Sequence, residues 1–186
     1  MTIEQDTSAD ASGAQPRPAR AVRQVFVVGQ GGSFPPAALA AETIYCCWQA
    51  LPALAPPALV VADSSGYPAL VDHLRKRVLQ APAAPTSAPD ELQELINGAL
   101  DEGATLIAGG LPTEDGGWQA TLFVHAKTNS RLCNPQAPIG PILAVLPSSA
   151  DRPTDQILAA LRGPLAFLRL GADGQLESSP TTEAAS

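Results

Sequence analysis

Short apolar runs rich in β-branched residues, each closed by a turn, alternate along this chain with stretches whose apolar residues recur at helical spacing. Gln24-Val25-Phe26-Val27-Val28 runs into glycines, and Ala58-Leu59-Val60-Val61-Ala62 runs into Asp63. Neither shows the polar-every-second pattern of a strand with one wet face, so both predict strands covered on two sides. A sheet of such strands needs helices on both faces, and helical periods lie where the connections must run. Leu39, Thr43/Ile44, Cys47/Trp48 and Leu51 recur at helical spacing, with Pro52 closing the run. Leu70, Val71, Leu74 and Val78 mark the inward stripe of a second helix whose outer face carries Asp72, Arg75 and Lys76. Leu92, Leu95, Ile96, Ala99 and Leu100 predict a third, with Gly103 at its C-cap.

Further strands are predicted at 105–108, 120–126 and 142–146, a last helix at 153–162 stopped by Gly163-Pro164, and a final strand at 165–168. The fold class expected is α/β, a three-layer sandwich around a mainly parallel sheet. A chain of 186 residues supports one such domain with a real core. Residues 1–21 hold almost no large apolar side chains, too few to offset the entropy of ordering them. That arm is predicted to be disordered, as is the polar tail 171–186, which leaves 22–170 as the domain.

A formal charge of −7 leaves no broad basic surface for phosphates, which argues against nucleic acid as a partner. Arg75-Lys76-Arg77 reads as the solvated end of a helix. No apolar stretch reaches the length of a membrane span, and the acidic start Met1-Thr2-Ile3-Glu4-Gln5-Asp6 lacks the order of a signal peptide. A cytoplasmic location is expected. The three cysteines follow no disulfide framework, and with only His73 and His125 beside them no zinc-ligand spacing occurs. Neither metal nor cofactor is expected.

The order Gly103-Ala104-Thr105-Leu106-Ile107-Ala108-Gly109-Gly110, then Gly117-Trp118-Gln119-Ala120-Thr121-Leu122-Phe123, then Ile139-Gly140-Pro141-Ile142-Leu143-Ala144-Val145-Leu146 resembles the catalytic domain of aldehyde dehydrogenases. Upstream, Val28-Gly29-Gln30-Gly31-Gly32 is similar to the end of the family's E-L-G-G strand. The helix around residues 37–49 looks like the one leading to its G-Q-x-C nucleophile loop. The resemblance covers about residues 24–170 and implies that fold. The departures from the family pattern fall on its chemistry. The family's general base matches a position near Gly29, where no carboxylate exists to activate water. Its nucleophile matches Leu51 by one alignment and Ala53 by another, and the stretch from Leu51 to Pro57 holds no cysteine. Its E-E-I-F-G-P segment, which holds the nicotinamide ribose, becomes Gln136-Ala137-Pro138-Ile139-Gly140-Pro141. The family's Rossmann sequence is not found.

Adjacent Cys46 and Cys47 are the candidate nucleophiles, since a thiolate near the former active-site loop could react, although packing is the simpler role for thiols on an apolar helix. Gly29, Gly31, Gly32 and Ser33, between a strand and a helix, are candidates for anion binding through free backbone N–H groups. Phe34 stands where a dinucleotide fingerprint needs glycine, which favours a plain turn. Ser64 or Ser65 is expected to cap the second helix, and His73 and His125 are read as structural. These readings imply a catalytically inactive, aldehyde-dehydrogenase-like pseudoenzyme, an accessory subunit whose partner is another protein or a second copy in an oligomer. The alternative is a thiol-dependent enzyme or small-molecule binder using Cys46 or Cys47 near the former substrate crevice.

Overall fold

The computed structural model describes residues 22–29, 34–51, 55–86, 88–138 and 140–183. The chain runs β1 Arg23–Val28, α1 Ala37–Gln49, β2 Ala58–Asp63, α2 Tyr67–Val78, β3 Ala84–Pro85 and α3 Pro89–Asp101. There follow β4 Thr105–Ala108, β5 Gly117–Trp118, β6 Thr121–Val124, a single 3-10 turn Arg131–Cys133, β7 Ile142–Ser148, α4 Thr154–Ala160, β8 Pro164–Leu170 and β9 Leu176–Glu183. A seven-stranded sheet has the order β4-β6-β7-β2-β1-β8-β9. The inner strands β6, β7, β2, β1 and β8 pair in parallel, and antiparallel β4 and β9 close the two edges. The α/β sandwich with a mainly parallel sheet is therefore present.

Both faces of β1, β2, β6 and β7 are dry. Val25, Leu59, Val61, Ala144 and Leu146 pack on one side with Leu92, Leu95, Ile96 and Ala99 of α3, with Leu132 and Cys133, and with Ile157 of α4. Phe26, Val28, Val60, Ala62 and Val145 pack on the other with Ala40, Ala41, Ile44 and Trp48 of α1 and with Leu70, Leu74 and Val78 of α2. Successive strand residues thus enter opposite cores, which explains the absence of alternation in the sequence. Leu70 and Leu74 are fully buried, and truncating a side chain so placed costs about 2–5 kcal/mol. The ion pairs Lys76–Asp72, Arg77–Glu42 and Arg131–Glu102 lie on the surface and are minor beside this packing.

Several boundaries differ from those the sequence predicts. Residues 176–183 form β9, paired antiparallel with β8, where a disordered tail was expected. An edge strand needs only main-chain partners along one side, so the polar run Leu176-Glu177-Ser178-Ser179 can occupy it without an apolar pattern. The arm 1–21 and residues 184–186 lie outside the described residues. The last helix is shorter than predicted, Thr154–Ala160. Neither Ser64 nor Ser65 caps α2: Gly66 holds that position, and Asp63 accepts the Ser65 N–H at 2.9 Å to form the turn before it. Gly103, at φ +92°, lies one residue beyond the α3 C-cap Glu102. The small sheet of β3 and β5 was not foreseen.

After β4 the chain turns at Gly109, φ +75°, where a Cβ would strike the Ala120 carbonyl. Gly116 has a similar φ of +81° but open space around it. Gly116→Ala should therefore cost only the left-handed backbone penalty, about 1–2 kcal/mol, whereas Gly109→Ala should cost at least twice as much. Urea unfolding of the two variants measures the difference, and equal losses would refute this account of the turn.

Candidate functional site at the amino edge of the sheet

Loops that enter parallel strands gather at one edge of a sheet, and here the segments entering β2 and β7 meet. The Gly140 N–H donates to the Ala55 carbonyl at 3.3 Å. Around this junction is a cavity of about 200 Å³, lined by Trp48, Gln49 and Leu51 at the end of α1, by Ala55 and Pro56, by residues 82–85, and by Gly140 and Pro141. Both segments matched to family chemistry therefore adjoin one hollow. None of its lining residues is a nucleophile, a carboxylate or a cation. The cavity is smaller than the roughly 300–1,000 Å³ of ordinary ligand sites. It offers no charged partner for a pyrophosphate and no carboxylate for a ribose, so these residues do not fit a nicotinamide dinucleotide.

The position matched to the general base lies elsewhere. Val28 pairs with Ala62 at the end of β2, which puts Gly29 at the carboxyl edge, while Leu51 and Ala55 lie at the amino edge. The length of β2 separates them, roughly 20 Å at about 3.3 Å per residue. A base must reach its proton directly or through one water, so Gly29 cannot be the base position of a site at the cavity.

Among the anion-binding candidates, Gly29 is described, and Gln30, Gly31, Gly32 and Ser33 lie outside the described residues. Gly29 has φ +82° and is buried beneath the Phe34 ring and Asp63. The same ring covers Gly66 at the start of α2. An aromatic side chain thus fills the space an anion at Gly29 would need. Asp63 is held below the usual carboxylate range by its bonds to Ser65, which adds a negative charge there.

Cys46 is exposed and Cys47 half-buried, and neither lines the cavity. The Cys46 thiol donates to Glu42 Oε1 at 3.4 Å, and this bond to a carboxylate pushes its pKa up. Burial does the same to Cys47. Both thiols are therefore less ionised near neutral pH than free cysteine, the opposite of an activated nucleophile. His73 lies on α2. His125 follows β6 instead of lying within a strand, at φ +57°. Its ring stacks on Tyr67 with centroids 5.8 Å apart, and its backbone N–H donates to Tyr67 Oη at 3.2 Å. Burial raises the Tyr67 pKa, so that hydroxyl stays protonated. Among the described residues no cluster of three metal-ligating side chains occurs, and no helix is long and apolar enough to cross a membrane.

A second depression, about 240 Å³, mixes Glu91 and Glu94 with Arg131, Asn134 and Gln136. The sequence reading missed the lining by residues 82–85, although the proline-rich composition there signalled extended chain able to lie along a neighbour.

Aldehyde dehydrogenases of known structure share this fold over part of their length. A benzaldehyde dehydrogenase from Corynebacterium glutamicum superposes with a TM-score of 0.63 at 17% identity, over 80% of this chain and 34% of that one. The NADP-dependent glyceraldehyde-3-phosphate dehydrogenase from Bacillus halodurans gives 0.60 at 18% identity, over 75% and 30%. Lactaldehyde dehydrogenase from Escherichia coli gives 0.56 at 16%, over 75% and 31%. The chain thus spans about a third of the length of these enzymes, and the likeness is one of fold. No family model and no curated protein matches the sequence.

The thiol geometry predicts a reactivity. Glu42→Gln removes the carboxylate that holds Cys46 protonated, so labelling of Cys46 by a maleimide at neutral pH should be faster in the variant than in the parent. Mass spectrometry of timed samples reads the rates, and an unchanged or slower rate would contradict the role given to Glu42.

Proposed function

We propose that this chain is a non-catalytic, aldehyde-dehydrogenase-like domain that serves as a structural or binding subunit of a protein assembly. The observation that supports it is the cavity at the amino edge of β2 and β7. The segments matched to the family's nucleophile loop and ribose-binding segment reach it with Leu51, Ala55, Gly140 and Pro141, side chains without acid, base or nucleophilic chemistry. The framework is kept while the reacting groups are replaced by residues that only pack. The outer side of β4 has no strand paired to it among the described residues. Exposed Leu111 lies just beyond that strand. An unpaired strand edge is a template for another chain, which favours association with a partner protein or a second copy.

A small-molecule binder is the second reading, favoured by the indole of Trp48 and the prolines around the cavity. Such a ligand would be small, apolar and uncharged. It would not use Cys46 or Cys47, which stand away from the lining.

Purification of the tagged chain from its native cells under mild conditions, followed by native mass spectrometry, tests the leading reading. The expected result is an assembly of fixed stoichiometry with another protein or with itself. A lone monomer would overturn it. Stabilisation by a small neutral aldehyde in a thermal-shift screen would then support the second reading.

A further inference from the structure

Arg23 opens β1 at the amino edge of the sheet and is only 3% exposed, burial that an arginine seldom shows without an anionic partner. Its Nη2 donates to the Asn134 carbonyl, while Nε and Nη1 are buried with no hydrogen-bond partner. Ser130, 5% exposed, has a buried hydroxyl that makes no hydrogen bond of ordinary geometry. Ser130 and Asn134 bracket the turn Arg131–Cys133. Within it the Cys133 N–H donates to the Ser130 carbonyl at 3.0 Å and the Asn134 N–H to the Arg131 carbonyl at 3.1 Å. Ser130 and the Asn134 carbonyl that accepts from Arg23 stand at the two ends of one turn, so the buried guanidinium and the buried hydroxyl are held at the same turn as Cys133.

The thiol does not supply the missing negative charge. Burial pushes its pKa up and outweighs the opposite pulls of Ser130, Arg23 and Arg152. Among the described residues, Cys133 is the one titratable group whose charge acts on Arg23. Arginine itself stays protonated in proteins. A buried cation with two unused donors therefore lacks a counter-charge among the described residues, an arrangement that calls for an ion or a water.

We infer that Arg23 Nε and Nη1, with the Ser130 hydroxyl, form a buried site for one small monovalent anion of the halide class. A water would accept from these donors, but it brings no charge and must find acceptors for its own hydrogens. A halide needs donors alone. Bound there, it ties the first residue of β1 to the turn packed beneath α3, so that sheet and helix layer are joined by an ion as well as by apolar contact.

The test compares thermal unfolding in chloride and in gluconate at equal ionic strength. Chloride at ten times its dissociation constant should raise the melting temperature by about 3–5 °C, and Arg23→Met should remove that dependence. Crystals of the parent protein grown in bromide give an independent reading if the variant does not fold. An anomalous peak within hydrogen-bond distance of Nε or Nη1 supports the site. A water without anomalous signal at that position, a melting temperature indifferent to the anion, or a chloride effect that survives in Arg23→Met would overturn it.

Discussion

Burial of β1, β2, β6 and β7 on both faces is the constraint on which the rest of this structure depends. Val25 to Val28, Leu59 to Ala62 and Leu143 to Leu146 are all essentially inaccessible to solvent, and a strand with no wet side is stable only between two helix layers. That requirement puts α1 and α2 on one face and α3 and α4 on the other. It also fixes the connections, because chain returning from a helix must re-enter the sheet at the amino edge. The cavity is a by-product of that geometry, the place where two returning loops meet. Arg23 is a cost of the same arrangement: a charged residue at the head of a fully covered strand is drawn into the interior with it.

The chemistry of the cavity follows from its lining. Proline, alanine and glycine allow loops to pack tightly at a strand entrance, and they supply neither protons nor nucleophiles. Trp48 and Gln49 are its larger neighbours. Phe34 has a matching effect at the carboxyl edge, where it fills the space over Gly29 and Gly66. At the positions described, side chains that pack stand where a reactive centre would need polar groups held open to substrate. The reading as a non-catalytic domain rests on this replacement, since a fold alone does not carry an activity.

Much of the fold was legible in the sequence because the two patterns that encode it are strong. The helical stripes Leu70, Leu74, Val78 and Leu92, Leu95, Ile96, Ala99 proved to be the buried faces of α2 and α3, and the unalternating runs proved to be inner strands. What escaped was encoded by contact rather than by period. The polar β9 is held by main-chain pairing to β8, and β3 and β5 are two-residue strands that no periodicity can reveal. Of the candidate site, the lack of an acid, a base or a nucleophile at Leu51, Gly140 and Pro141 was readable as residue types. The separation of Gly29 from the cavity was not, since it depends on which edge of the sheet each loop reaches. Nor could a single arginine at the head of a strand announce that it would be 3% exposed.

The central claim is that the fold persists without its reacting groups, and the most direct measurement is made on the purified protein with a panel of small aldehydes and NAD or NADP. Nucleotide reduction is followed spectroscopically while intact-mass analysis watches for an acyl adduct on any cysteine. The account predicts neither reduced nucleotide nor adduct. Turnover, or a single cysteine that acquires an acyl group at a rate matching nucleotide reduction, would contradict it.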